Sequence, residues 1–179
     1  MTVDPKILTV PARRIQTVMS FGVVLFSAAT AALAIGAITA PTGTGESLAT
    51  MGGFSTGPME GWQNGALVGI AAIHLAIWIA LFLTARRMFS TLADGDAEIA
   101  GAAARTLSNW LWAMLAWGLI SQVLVGLVAT WGFPEGERSV GLGIGTTEIS
   151  LALSALIAGL MARAFAFGAE LWRDHREVI

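Results

Sequence analysis

The chain contains no cysteine, and only 12% of its 179 residues are charged, about half the roughly 25% of an ordinary soluble domain. The first absence excludes disulfides, thiolate nucleophiles, zinc–thiolate sites and iron–sulfur clusters, and it removes cysteine usage as a clue to redox compartment. The second argues against a soluble globule, because so few charges cannot cover the surface of a chain this small. Net charge is −2, so there is no basic footprint, and direct nucleic-acid binding is not expected. Hydrophobic residues make up 55%, which excludes a disordered chain. The class that fits is an all-α polytopic membrane protein.

The charges are missing in blocks. None occurs over residues 15–45, 61–85 or 106–134, and Arg163 is the sole charge over 149–169. A bilayer-spanning helix needs about 20 mostly apolar residues. Each block is long enough, which predicts spans near 15–40, 65–85, 107–131 and 148–168 of one four-helix transmembrane domain covering 1–179. The runs are continuous and rich in Ala, Leu and Gly, unlike the alternation of a β-barrel. The first is too long for a signal-peptide core and is read as an uncleaved helix.

Nine of the ten Lys and Arg residues flank the inner ends of these spans, and Arg138 alone lies on the other side. The positive-inside rule then predicts cytoplasmic termini, a cytoplasmic central loop and an inner-membrane location. Trp62 and Trp131 at the outer span ends, and Trp110, Trp112 and Trp172 near the inner ends, fit interfacial belts. Trp78 and Trp117 fall mid-span and read as packing residues.

Residues 41–64 are rich in Gly, Thr, Ser and Pro, show no period, and are expected to be an irregular outer loop. Gly141, Gly143 and Gly145 alternate before the fourth span. They lack the rest of a phosphate-binding pattern, so a flexible lead-in is the better reading, with Thr146 or Thr147 capping the helix. Asp94, Asp96 and Glu98 alternate without the spacing of a calcium loop and read as a solvated turn. Ala97–Arg105 is Ala-rich and reads as a helix running into the third span, and the tail from Glu170 as a helical extension of the fourth.

Small residues recur every four positions in each span: Ala28, Ala32, Gly36 and Ala40; Ala72, Ala76, Ala80 and Thr84, with Gly65 and Gly69; Gly118, Gly126 and Thr130; Ser154, Ala158, Ala162 and Ala166. Such faces let helix backbones approach closely. They suit a compact four-helix bundle, and equally a homo-oligomer.

Intramembrane polarity is scarce. His74 sits mid-span, with Ser27, Ser121, Gln122 and Ser154 at comparable depths. These five could form one buried polar site for a proton, ligand or metal. A structural histidine satisfied by Ser or Gln is the favoured alternative. His74 also lies nearly opposite the Ala72–Ala76–Ala80 stripe, which asks both faces of one helix to be covered. No cofactor or metal is expected: His74 and His175 lie too far apart along the membrane normal to share a haem, and HExxH is absent. A Ser–His–Asp triad would lack its intramembrane acid. Ser108 and Asn109 suit interfacial hydrogen bonds, and Arg163 can snorkel to the inner surface.

The run Arg86-Arg87-Met88-Phe89, a polar turn, Ala104-Arg105 and then Trp110–Leu119 resembles the central region of a bacterial membrane family, domain-of-unknown-function family 2975. The ending Phe165–Glu177, FAFGAELWRDHRE, resembles it too. The resemblance covers roughly residues 65–179. It implies a small four-span inner-membrane protein, carries no catalytic residues, and suggests a cytoplasmic regulator as partner. The functional expectation is a non-enzymatic accessory or regulatory subunit. Its partners would be the lipid bilayer, a second copy or larger membrane complex, and that regulator. The rival is a small carrier or proton- or ligand-binding protein built around His74.

Overall fold

A computed structural model describes residues 6–56, 59–94, 97–134 and 136–177. Asp96 of the acidic alternation lies outside the described residues, as do the side chains of Trp172 and His175. The fold is all-α: α1 Lys6–Thr39, α2 Pro41–Met51, α3 Gly61–Ala93, α4 Ala97–Ala129 and α5 Thr146–Glu177. Helices α1, α3, α4 and α5 are each long and apolar enough to cross a membrane. The Ala-rich run does start α4, and α5 continues through the charged tail.

The expected irregular loop at 41–64 is corrected by α2. The residue before a proline avoids the helical region, and Ala40 breaks the chain at φ −143° and ψ 65°. Pro41 then opens α2 in the first helical position, where its missing N–H costs nothing. The helix ends in a Schellman motif. Phe54 N–H donates to the Ala49 carbonyl at 3.1 Å, and Gly53 N–H to that of Thr50 at 3.0 Å. Gly53 sits at φ +81°, which favours glycine. Composition hides α2 because hydroxyl residues normally favour turns. Here they fold back onto their own helix: Thr44, Ser47 and Thr50 donate to the carbonyls of Ala40, Gly43 and Glu46. Thr30 and Thr84 do the same in α1 and α3, which satisfies hydroxyls that have no water to bond in lipid.

The chain divides into two compact units. The first comprises Met1–Leu25, Ile79–Ala113 and Ser150–Ile179. Its core is Met88, Ala103, Ala104 and Ala162, with Phe89, Leu92, Leu107 and Phe165 packed against it. Helices α4 and α5 meet here through small residues. Gly101, Ala104 and Ser108 share one face of α4, at the spacing of helical neighbours. Ala155, Ala158 and Ala162 share the facing side of α5, and all six are buried. Ser108 Oγ donates to the Ala155 carbonyl across this seam at 2.8 Å. The second unit comprises Phe26–Trp78 and Met114–Ile149. Its core is Ala49, Leu67 and Ala129, ringed by Leu48, Phe54, Met59, Val125 and Val128.

The small-residue faces are only partly where the four-residue stripes predict. On α5 the buried face includes Ala155, while Ser154 points outward. Ala28, Ala32 and Ala76 are exposed, and Gly65, Gly69 and Gly118 face open space. The inward side of α3 instead runs Leu67, Ala71, His74, Trp78, Leu81, Ala85 and Met88, at alternating steps of four and three. This removes the demand for two covered faces, because the Ala76 side is free for lipid. At the α4–α5 seam Gly101 is tight: a Cβ there would stand 3.1 Å from the Phe165 Cβ. Gly101→Ala is therefore expected to lower the thermal midpoint in mild detergent. Gly65→Ala, in open space, should leave it unchanged or raise it, since alanine costs less backbone entropy in a helix.

Candidate functional site

Ser27, His74, Ser121 and Gln122 lie in the second unit and Ser154 in the first. Among the described residues, no hydrogen bond links any two of the five. His74 is half-buried on the inward side of α3. Its Nε2 accepts from Trp78 Nε1 at 3.3 Å, one helical turn along. In the neutral ring the proton then sits on Nδ1. Trp78 stacks on Phe26 of α1, with centroids 5.2 Å apart and planes at 23°. The indole therefore has two tasks, orienting the imidazole and packing α3 against α1. Ser121 Oγ donates to its own helix, at the Gly118 carbonyl. Ser27 and Ser154 are exposed.

Gln122 works elsewhere, with the loop before α5. Its Nε2 donates to Glu148 Oε1 at 3.3 Å, and its Oε1 accepts from Gly143 N–H at 2.9 Å. Glu148 Oε2 in turn accepts from Gly145 N–H at 2.7 Å. Gly145 also supplies the first carbonyl of α5, accepting from Ile149 N–H. That is the Glu half of a capping box, so Glu148 caps α5 at Gly145 in place of Thr146 or Thr147. A carboxylate in the first turn also suits the positive end of the helix dipole. The N–H groups of Gly143 and Gly145 are taken by Gln122 and Glu148, and a Cβ would crowd the Phe54 ring at Gly141 (3.3 Å) and Glu148 Oε2 at Gly145 (3.2 Å). Thr130 adds a second anchor, accepting from Ser139 N–H at 3.3 Å. The loop is thus tied by side-chain hydrogen bonds to Gln122 of α4 and to Thr130 just past its end.

Two buried polar side chains fall within the expected loop. Gln63 and Asn64 open α3 and are 2% and 3% exposed. Gln63 Oε1 accepts from Glu60 N–H at 2.7 Å, and its Nε2 donates to the Val128 carbonyl near the end of α4, also at 2.7 Å. The signal was present as Glu60 followed three residues later by Gln63, a capping spacing before an apolar run. At the same end Trp62 and Trp131 meet edge to face at 5.9 Å, and the Arg138 guanidinium lies 5.0 Å from the Trp131 ring centroid. Trp62 and Trp131 are both about half exposed, the arrangement of an interfacial belt.

Trp117 Nε1 is buried without a hydrogen-bond partner. An unpaired buried donor costs about 1–3 kcal/mol. Trp117→Phe should therefore leave the thermal midpoint unchanged or raise it, whereas Trp78→Phe, which releases His74, should lower it. Among the described residues, no three His, Asp or Glu side chains converge as a metal site. Comparison with family models, with curated proteins and with solved structures finds no match for this chain.

Proposed function

We propose that this protein is an accessory or regulatory subunit of the bacterial inner membrane, acting through helix packing and cytoplasmic surfaces rather than catalysis. The observation that carries this reading is an inverted distribution of size. Among the described residues, ten of the fourteen buried hydrophobics are alanine. The large side chains face outward instead: Val18, Phe21 and Ile35 on α1, and Leu153, Leu156 and Leu160 on α5, are each more than half exposed. A soluble protein buries these residues, whereas a lipid-embedded helix presents them to acyl chains or to another helix. The Lys and Arg asymmetry supports cytoplasmic termini and a cytoplasmic turn between α3 and α4. The resemblance to family 2975 supports a cytoplasmic regulator as partner.

Photo-crosslinkers placed singly at Phe21, Leu156 and Ile99, all exposed, test the proposal in living cells. It expects a discrete protein adduct at one or more of these positions, against a control at Trp131 in the second unit. Lipid-only adducts at all three positions would count against a subunit role.

A further inference from the structure

A groove of about 400 Å³ opens between α4 and α5. Its floor is the small-residue seam at Ser108, Gly159 and Ala162, and its walls carry Arg105, Asn109 and Arg163. Helical spacing makes this set. Arg105 and Asn109 are one turn apart on α4, and Gly159 and Arg163 one turn apart on α5. Arg105, Asn109 and Arg163 are all exposed, while Ser108 and Ala162 are buried. Among the described residues, no carboxylate stands at ion-pair distance from either guanidinium. The Ser108 hydroxyl is already committed to the Ala155 carbonyl. What the groove offers is two guanidinium forks and one carboxamide around a cleft kept open by small residues.

We propose that this groove binds the phosphate of an anionic phospholipid. Two arginines with no carboxylate at ion-pair distance among the described residues match a phosphate group, which guanidinium binds through paired N–H donors. Basic pockets between membrane helices are suited to lipid headgroups. The surroundings select a lipid over a soluble phosphate. Leu156, Leu160, Arg163 and Phe167 follow one another on a single exposed face of α5. The three apolar members are 53%, 64% and 63% exposed. An acyl chain leaving a headgroup at Arg163 has about 10 Å of helix, from Arg163 past Leu160 to Leu156, to lie along. The assignment depends on the helices being embedded in lipid, and not on which partner the protein serves.

The test uses the full chain in a neutral detergent, titrated with phosphatidylglycerol and read by native mass spectrometry. One lipid should be retained per chain, and Arg105→Gln with Arg163→Gln should weaken retention about tenfold, the scale of a lost charge-assisted contact. Arg138→Gln, in the second unit, should not. Inorganic phosphate and phosphatidylcholine serve as competitors and should displace little. Competition by inorganic phosphate at matched concentration would replace the lipid with a soluble anion and overturn the proposal. So would equal binding of phosphatidylcholine, or full retention by a folded double variant. The competition arms need only the unaltered chain, so they decide the matter if the double variant does not fold.

Discussion

Gly45→Ala is expected to cause a large loss of thermal stability, and Asn64→Ala in the same chain to return part of it. Gly45 is buried where α2 meets the start of α3. A Cβ at that position would overlap the Asn64 carboxamide and stand 3.1 Å from the Asn64 Cα. Backbone cannot swing aside as a long side chain does, so α2 must move off α3. Overpacking of this kind costs about 1–3 kcal/mol and occasionally more. The cost should be high here, because α2 also supplies Ala49 to the core around Leu67. Asn64 Oδ1 has no hydrogen-bond partner, and Asn64 Nδ2 makes only a long 3.3 Å bond to the Glu60 carbonyl. Removing the carboxamide therefore loses little and relieves the closest overlap with a Cβ at 45, leaving the tight approach to the Asn64 Cα. The two substitutions should couple by about 1 kcal/mol or more in a double-mutant cycle. Simple additivity in the thermal midpoints would contradict the close approach.

Gln63→Leu should be the second severe change. Leucine keeps the volume but removes both the acceptor for Glu60 N–H and the donor to the Val128 carbonyl. Both are orphan groups at helix ends, which need partners from outside their own helix. A buried polar group left unpaired costs about 1–3 kcal/mol; here the Glu60 N–H loses its acceptor, and the Val128 carbonyl keeps only the long 3.4 Å bond from Trp131 N–H. Gln63→Glu separates the two contributions. It keeps an acceptor for Glu60 N–H but sets a carboxylate against a carbonyl oxygen, so it should be no milder than leucine. A tolerated Gln63→Glu would mean that the link to α4 carries no weight.

The four spans are legible because lipid imposes one requirement on every residue, and charge gaps report it without knowledge of tertiary contacts. The span ends are less legible, since α3 and α4 extend well past the apolar blocks, to Ala93 and from Ala97. Helix α2 is hidden because its Thr and Ser residues have two ways to satisfy their hydroxyls, and only the fold selects the helical one. The four-residue stripes misplace the packing faces for a related reason. An Ala-rich helix offers several small-residue rows, and the row used depends on the neighbour. On α3 that neighbour selects the Leu67–His74–Met88 side and leaves Ala76 outside. The polar set around His74 illustrates the limit of depth as a criterion. Depth alone groups Gln122 with His74, but it does not tell that Gln122 turns toward Glu148 and the glycine loop.

The most direct test of the account uses the absence of cysteine. Every single-cysteine variant of this chain carries one thiol and no background. Ser55, Asp94 and Glu137 are exposed in connections between helices. In intact bacterial cells a membrane-impermeant maleimide should modify Ser55→Cys and Glu137→Cys, and should modify Asp94→Cys only after permeabilisation. Labelling of all three in intact cells, or of Asp94→Cys alone, would contradict a four-span protein with a cytoplasmic central turn.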